Sequence, residues 1–260
     1  MRYALTLVLV FTWYAPALAD ESSQHAQDVQ TSQQIYNEYD QKGLIDHQSP
    51  YNAVLQRVGA RIAKAAQPHW FTESFFIVKD GSLNAYATPG GMVFVNAGLL
   101  SNADNVDELA NVLGHETAHL VLGHLDEQQQ QAQRKNLIYN VGQVFVSNVG
   151  GNSQSAQLGY KAGTALGNYG FLNFTRQQEY AADQNGVIYA ARAGFNPWGS
   201  VWFFNELERT VGDAGYEQYV ERHPSVQDRT ARIEDFISQN PQEFGRWKNR
   251  EPSTSGLPLH

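Results

Sequence analysis

One stretch decides the fold of this chain: residues 106–119, which read VDELANVLGHETAH. It ends in the pattern H-E-x-x-H, with His115 and His119 four residues apart and Glu116 directly after the first histidine. On a helix that turns about 100° per residue, the two histidines lie on one face and can bind the same ion. The glutamate is placed to take a proton from a water molecule that the ion activates. The pattern predicts a zinc site; the alternative is a solvated helix face that carries two histidines.

The residues around the motif predict a buried helix. Asn105 and Glu108 have the spacing of a capping box, and the first turn is acidic, as the helix dipole favours. Apolar residues recur at helical spacing: Leu109, Val112, Leu113, Leu120 and Val121. Two histidines and a glutamate among such neighbours are costly to bury unless they are paired or bind a metal. The context therefore favours the metal site over the solvated face.

A catalytic zinc site takes three protein ligands and keeps a fourth position for water, so the motif needs one more ligand. His124 is a candidate, but it lies five residues past His119, about 140° round the same helix, and would point elsewhere. The longer metzincin pattern would require a histidine at position 125, which is Leu125. Both observations favour a ligand further along the chain.

The segment 175–183, TRQQEYAAD, supplies a better candidate. Thr175 and Gln178 have capping-box spacing and predict a helix start. Glu179 and Asp183 then share one helix face, a spacing that suits a carboxylate ligand followed by a carboxylate that orients a ligand histidine. The alternative is a surface Glu–Asp pair, although like charges at this spacing repel and the flanking alanines indicate close packing.

The combination of H-E-x-x-H with E-x-x-x-D resembles the gluzincin metallopeptidases related to the CAAX prenyl endopeptidase and HtpX, and among them the soluble periplasmic, BepA-like branch. Four segments carry the resemblance, in the family's order from about residue 50 to residue 237. They are 84–100 with NAYATPGG and VFV, 115–119, 179–197 with EYAAD and GFNP, and 223–229 with HPS. Some periplasmic relatives carry a helical-repeat array after the protease domain, and the sequence printed here ends before such an array would fit.

The resemblance implies three ligands for one zinc ion per chain: His115, His119 and Glu179. It implies Glu116 as the general base and Asp183 as the carboxylate that orients a ligand. It places three further groups near the substrate: Asn84, His223 and Arg229. Of these, His223 and Asn84 are candidate donors to the oxyanion, and Arg229 would orient the substrate or His223. From its own sequence context, a histidine such as His223 is more often a surface residue, and only the resemblance makes it a site residue.

The predicted fold is α+β: a mostly helical, zincin-like metalloprotease domain with a small β-sheet beside the zinc-binding helix. Residues 75–78 and 92–95 have the composition of strands, and a turn follows at Asp80-Gly81. The second strand is predicted to be the hairpin partner of the first or a neighbour in the same sheet. An edge strand there could hold an extended peptide by main-chain hydrogen bonds. Further helices are predicted over 24–39, from Ser49-Pro50 onward, from Asn196-Pro197 to near Gly212, and from Ser225 to Asn240.

The chain is expected to form one enzyme domain over residues 20–250, because 260 residues with 42% hydrophobic content can bury a full core. Residues 1–19 are expected to be a cleaved signal peptide, with Arg2, an apolar run and the small residues Ala17-Leu18-Ala19; a membrane anchor is the alternative. The sequence contains no cysteine, so it forms no disulfide. A signal peptide on a chain without disulfides suits a bacterial periplasm. Residues 251–260 are expected to be a disordered tail.

Residues 126–174 lie between the two predicted ligand helices. Their apolar runs are amphipathic and are interrupted at Gly150-Gly151. We interpret the segment as a helical hairpin or a lid over the cleft. Its spacing also allows peripheral contact with a membrane or with outer-membrane proteins.

The motif predicts a zinc endopeptidase that acts on protein or peptide substrates, and the amino-terminal segment predicts secretion. The resemblance implies a role in bacterial envelope protein quality control. A net charge of -8 argues against a nucleic-acid partner, and a mean hydropathy of -0.45 argues against an integral membrane protein. The alternative is a zinc-binding chaperone or outer-membrane assembly factor with little proteolytic activity, although such a protein would not require Glu116. A zinc hydrolase of non-peptide bonds has no distinguishing feature in this sequence.

Overall fold

The computed structural model describes residues 17–68, 70–131, 174–210, 212, 216, 219–220, 223, 226–247, 251–252 and 257. Over these residues the fold is α+β and mostly helical with one small sheet, as predicted. Within the same ranges, no helix is long and apolar enough to cross a membrane.

The main helices are α1 (Ala17–Gln41), α2 (Asn52–Ala66), α3 (Ala97–Asn102), α4 (Val106–Val121), α5 (Arg176–Arg192), α6 (Gly199–Arg209), α7 (Val226–Gln239) and α8 (Pro241–Phe244). Residues 124–131 are also helical, and a 3-10 turn covers Gly245–Trp247. The strands are β1 (Ser74–Val78), β2 (Ala85–Ala87) and β3 (Met92–Asn96).

The sheet has the strand order β1-β3-β2. β1 and β3 are parallel, with Phe76 opposite Phe94, and β2 is antiparallel to β3, with Tyr86 opposite Phe94. The predicted pairing of the two strands is therefore confirmed, but the strands are parallel and do not form a hairpin. A parallel neighbour requires a crossover connection rather than a tight turn, and β2 lies within that connection. As an edge strand, β2 packs against α4, the helix that carries the motif.

Helix α1 covers the outer face of the sheet. Ile35 and Tyr39 are buried against Phe94, and the rings of Tyr39 and Phe94 meet edge to face at 5.5 Å. The backbone N–H of Gly90 donates to the Ser32 hydroxyl at 2.7 Å. The helix predicted over 24–39 is thus confirmed and is longer at both ends.

The inner face of the sheet carries the main core. Strand residues alternate between the two faces, so Val93 and Val95 of β3 face α2 and α4, opposite to Phe94. Val58 of α2 and Leu109 of α4 are buried in this cluster. Helix α4 is buried along almost its whole length, as the apolar spacing predicts.

The backbones of helices α4 and α5 are in direct contact at Gly114 and Gly186. A Cβ atom added at Gly114 would lie 2.6 Å from the carbonyl oxygen of Gly186, and one added at Gly186 would lie 2.8 Å from the backbone nitrogen of His115. No larger residue fits at either position without moving the helices. This close approach brings Glu179 and Asp183 of α5 to the histidines of α4.

The other predicted helix starts hold to within a few residues. Helix α2 begins two residues after Pro50, because a turn in which the Asn52 N–H donates to the Ser49 carbonyl at 3.1 Å comes first. Helix α6 begins shortly after Asn196, whose side chain accepts from the N–H of Trp198 at 3.1 Å. It ends at Arg209, a little before the predicted end.

Three predicted segments lie largely outside the described residues. Of the lid or hairpin over 126–174, the structure describes only 126–131, which are helical, and Phe174. Of the signal peptide over 1–19, it describes only the residues from Ala17, where α1 begins. In the tail over 251–260, Leu257 is buried in the main core, so the expected disorder does not hold at that residue.

Candidate metal centre

Four buried side chains converge beside α4: His115, His119, Glu179 and His223. One nitrogen or oxygen of each lies within 4.8 Å of those of the others, so the group could hold a metal ion. The Nε2 atoms of His115 and His119 are 3.0 Å apart, and oxygens of Glu179 lie 3.6 Å and 3.4 Å from them. The three residues proposed as ligands from the sequence are therefore together in space, and His223 joins them.

Two capped helix starts position these side chains. At α4, the Asn105 side chain accepts from the backbone N–H of Glu108 at 3.0 Å. Glu108 in turn accepts from the backbone N–H of Asp104 at 3.0 Å, one residue earlier than in a standard capping box. At α5, Thr175 and Gln178 form the complete capping box that the sequence predicts. Each of the two helices therefore begins at a residue whose side chain accepts a hydrogen bond from at least one N–H group of the first turn.

Arg229 neutralises the carboxylates of the cluster. Its buried guanidinium donates to both oxygens of Asp183 at 2.7 Å and 2.8 Å, and its Nη1 is 2.6 Å from Glu179 Oε2. Burial alone would raise the pKa of Glu179, but the charges of Arg229 and His223 hold it well below its usual range. The same guanidinium lowers the pKa of Asp183 against the effect of burial. Both carboxylates therefore remain ionised, the form that binds a metal or orients a histidine.

Each motif histidine has a partner on the ring nitrogen that faces away from the cluster. His115 Nδ1 is 3.0 Å from Asp183 Oδ1, and His119 Nδ1 is 3.0 Å from His124 Nδ1. The prediction that His124 points elsewhere is wrong, because α4 ends at Val121 and the helical angle does not extend to residue 124. Burial and the neighbouring His115 hold the pKa of His119 well below its usual range, which keeps its ring neutral.

His223 lies inside the cluster. Its Nδ1 is 3.1 Å and 3.2 Å from the two oxygens of Glu179 and 3.3 Å from His115 Nε2. Its side chain is 1% exposed, so the interpretation as a surface histidine is wrong. The sequence alone carries no signal for this position, because the residue is brought in by a segment far from both helices in the chain.

Glu116 lies beside the cluster at a narrow crevice. Its Oε1 is 3.8 Å from His223 Nε2. The crevice has a volume of about 10 Å³, and Ala85 of β2, Phe203 and Tyr219 form part of its wall. That volume is enough for roughly one water molecule. Neither Phe203 nor Tyr219 belongs to a sequence motif, so the sequence gives no reason to place them at the site.

The two remaining predicted site residues occupy different positions. Asn84 directly precedes Ala85 at the crevice, and its side-chain oxygen is buried without a hydrogen-bond partner. Such an atom is costly to bury, which fits a group that meets a polar ligand. Arg229, by contrast, has no exposed surface and contacts the carboxylates from behind. The expectation that it orients the substrate directly is not met, because the carboxylates enclose its guanidinium.

Another buried acid, Glu73, lies on the side of α4 opposite to the motif histidines. Thr117 is two residues from each motif histidine, about 200° round the helix, and its hydroxyl donates to Glu73 Oε1 at 2.7 Å. Burial raises the pKa of Glu73 to about 7, and the bond from Thr117 only partly opposes that effect. The sequence reasoning missed Glu73, which stands alone before β1.

Comparisons with known proteins identify related proteases. The beta-barrel assembly-enhancing protease of Escherichia coli is 29% identical over 182 residues, which are 68% of this chain and 37% of that protein. The mitochondrial metalloendopeptidase OMA1 of Schizosaccharomyces pombe is 28% identical over 208 residues, 79% of this chain and 58% of that protein. Human metalloendopeptidase OMA1 is 28% identical over 170 residues, 63% of this chain and 32% of that protein. The chain thus spans about a third of the length of the E. coli relative.

The family model described as peptidase family M48 matches residues 50–237. This range includes all four residues of the candidate metal-binding group, together with Asn84, Glu116, Asp183 and Arg229. Because the match covers more than half of the sequence, the chain belongs to peptidase family M48.

Proposed function

We propose that this protein is a secreted zinc-dependent endopeptidase that cleaves peptide bonds in protein substrates. The observation that supports the proposal most is the position of Glu116 beside the buried group of His115, His119 and Glu179. A site that only holds a metal does not need a carboxylate there, whereas hydrolysis needs a base next to the ion.

The residues of the cluster fit zinc. Neutral imidazole nitrogens and an ionised carboxylate are the ligands of catalytic zinc sites, and the lowered pKa values of His119 and Glu179 favour those forms. We infer one ion per chain, held by His115, His119 and Glu179. When bound, zinc supplies a Lewis acid that lowers the pKa of a water molecule and polarises a carbonyl group.

The protein's own groups then divide the work of hydrolysis. Glu116 would accept a proton from the attacking water molecule while the oxygen of that water forms a bond to the carbonyl carbon of the substrate. As the carbon–nitrogen bond breaks, Glu116 passes that proton to the leaving amine. Asn84 lies next to the crevice wall, where its amide would donate to the developing oxyanion. The edge strand β2 would hold an extended substrate by main-chain hydrogen bonds.

His223 supports a resting state in which this site is closed. Its Nδ1 is placed among the ligand atoms, and the crevice holds about 10 Å³. A catalytic zinc needs a position open to water. We therefore infer that His223 would help His115, His119 and Glu179 to hold the metal at rest and would move away when substrate enters, a role that differs from the oxyanion donor expected from the sequence.

We further propose that the protein acts in protein quality control in the bacterial envelope. The names of its bacterial relatives join proteolysis with β-barrel assembly, whereas the OMA1 relatives are mitochondrial. Residues 1–19 would direct secretion, and residues 126–174 would form the lid or the contact with a membrane or an outer-membrane protein. The closed site favours a second candidate, a zinc-binding assembly factor with little proteolytic activity.

One experiment separates the two functions. Glu116→Gln keeps the size of the side chain and removes the base, so casein cleavage should fall by about a hundredfold to ten-thousandfold with zinc content unchanged. Glu179→Ala should lower zinc content, because it removes one of three ligands. Glu234→Gln on α7 serves as a matched control for both measurements. Casein cleavage by wild type that does not exceed the rate without enzyme would reject the peptidase and leave the assembly factor. Equal cleavage above that rate by wild type and Glu116→Gln would mean that Glu116 is not the base.

A further inference from the structure

The turn after α4 places His124 next to His119, on the side of its ring that faces away from the candidate metal-binding group. Helix α4 ends at Val121, and Gly123 adopts a left-handed conformation with φ of 71°. Nothing lies within 4 Å of a Cβ added at Gly123, so the backbone conformation rather than the space favours glycine there. A new helix then begins, in which the N–H of Glu127 donates to the Gly123 carbonyl at 3.1 Å. The reversal returns His124 to the side of His119.

The contact that results is short and buried. His124 Nδ1 lies 3.0 Å from His119 Nδ1, the two rings are 5.1 Å apart at 68°, and His124 is 6% exposed. This distance is that of a hydrogen bond between two nitrogens. On its other side, His119 directs Nε2 to the cluster, 3.0 Å from His115 Nε2 and 3.4 Å from Glu179 Oε1.

These two contacts determine the position of each proton. An imidazole nitrogen that binds a metal carries no proton, so the proton of His119 must lie on Nδ1. The hydrogen-bond partner of His119 Nδ1 is His124 Nδ1, which must therefore be the acceptor. The proton of a neutral His124 then lies on its Nε2. The arrangement parallels that of His115, whose Nδ1 faces Asp183 Oδ1 at 3.0 Å.

We infer, as an extension of the proposed zinc site, that His124 is a positioning residue that fixes the ring and the tautomer of His119 for metal binding. The two ligand histidines are thus supported by different chemistry. The ring of His115 is held by a carboxylate whose charge Arg229 shares, and the ring of His119 is held by a neutral imidazole. Groups that orient a metal-binding histidine typically contribute about tenfold to a hundredfold in metal affinity.

The test measures zinc dissociation constants by competition with a chelator in purified protein. His124→Leu removes the acceptor and should weaken zinc binding by about tenfold to a hundredfold. His124→Asn places an amide oxygen near the former Nδ1 and should restore affinity to within about threefold of wild type. His124→Gln places its polar atoms near the former Nε2 and should not restore it. His47→Phe, at an exposed histidine paired with Asp40, is the matched control.

The variants also separate this inference from a packing role and from the zinc site itself. If His124→Leu does not fold, the inference is tested by comparing the zinc affinities of His124→Asn and His124→Gln, because both variants keep a polar side chain. Equal zinc affinity in the Asn and Gln variants, or wild-type affinity in His124→Leu, would overturn the inference. If wild type binds no zinc, or Glu179→Ala binds it as well as wild type does, the proposed zinc site itself fails. An effect of Glu179→Ala without an effect at His124 would reject only the positioning role.

Discussion

The two sides of helix α4 both bury carboxylates, yet they treat them in opposite ways. On the ligand side, Glu179 and Asp183 share the guanidinium of Arg229, and their pKa values are lowered despite complete burial. On the other side, Glu73 receives one hydrogen bond from Thr117, and burial raises its pKa to about 7. Burial therefore does not by itself decide whether an acid next to this helix is charged; a shared cation does.

The difference also separates function from stability. An ionised carboxylate at Glu179 suits a metal ligand, and the cost of burying its charge is offset by Arg229. Glu73 has a second oxygen that is buried without a hydrogen-bond partner. An acid in that position is best accommodated in its neutral form near neutral pH. The predictions below change one side at a time.

Removing the cation should have the largest effect. Arg229→Gln leaves the charges of Glu179 and Asp183 buried without their partner, so the metal-free protein should lose about 3 to 5 kcal/mol of unfolding free energy. Arg232→Gln is the matched control, because Arg232 lies on the same helix, is exposed, and stacks on Tyr180 at 3.9 Å. Arg232→Gln should lower the unfolding free energy by less than about 1 kcal/mol. Urea unfolding measures both, and similar losses in the two variants would contradict the assigned role.

The sequence predicts the ligand side of α4 well and the other side poorly. His115, His119, Glu179 and Asp183 lie at helical spacings within two short segments, so their shared faces follow from periodicity alone. Arg229 and His223 were assigned only through the resemblance to a family, and their positions behind and within the cluster depend on the tertiary fold. Glu73 has no spacing relation to Thr117, since the two meet across 44 residues of chain.

The errors in the predicted fold have local physical causes. The strands of the sheet were identified, but the connection between β1 and β3 was interpreted as a tight turn because Asp80-Gly81 is a common turn sequence. β2 is only three residues long and has no clear alternation, so it was not recognised as a strand. His124 was placed by extending α4 beyond its end, although Gly123 marks the position where the helix reverses.

The second prediction tests the neutral acid on the opposite side. A carboxyl whose pKa is raised on folding contributes stability that is present below its unfolded pKa and is lost as pH rises to its folded pKa. For Glu73, that window runs from the usual value of 4.5 to about 7. Glu73→Gln imitates the neutral acid and removes this loss. The unfolding free energy of the variant should therefore rise relative to that of wild type by about 2 to 3 kcal/mol as the pH increases from about 5 to about 8.

Unfolding free energies at several pH values across this window provide the measurement. The exposed Glu251→Gln is the control and should follow wild type at every pH. A difference between Glu73→Gln and wild type that stays constant with pH would mean that Glu73 is ionised in the folded protein. The two sides of α4 would then be alike, and the comparison would fail.

The smallest expected effect concerns the way the ligand side is closed. His223 shares Glu179 with Arg229, but as a histidine placed among the ligand atoms it competes for the position that water needs. His223→Phe keeps a ring beside Tyr219, whose centroid is 4.9 Å away, and removes the nitrogen. Since the closed form would be lost, casein cleavage should rise about threefold to tenfold, a change of about 1 kcal/mol. Zinc should bind more weakly than in wild type but more tightly than in Glu179→Ala, because the three other ligands remain.

Cleavage rates and zinc affinities, measured with His47→Phe as the control, distinguish this outcome from a role of His223 in the transition state. A fall in kcat and kcat/KM together, at unchanged zinc affinity, would instead identify His223 as a donor to the oxyanion.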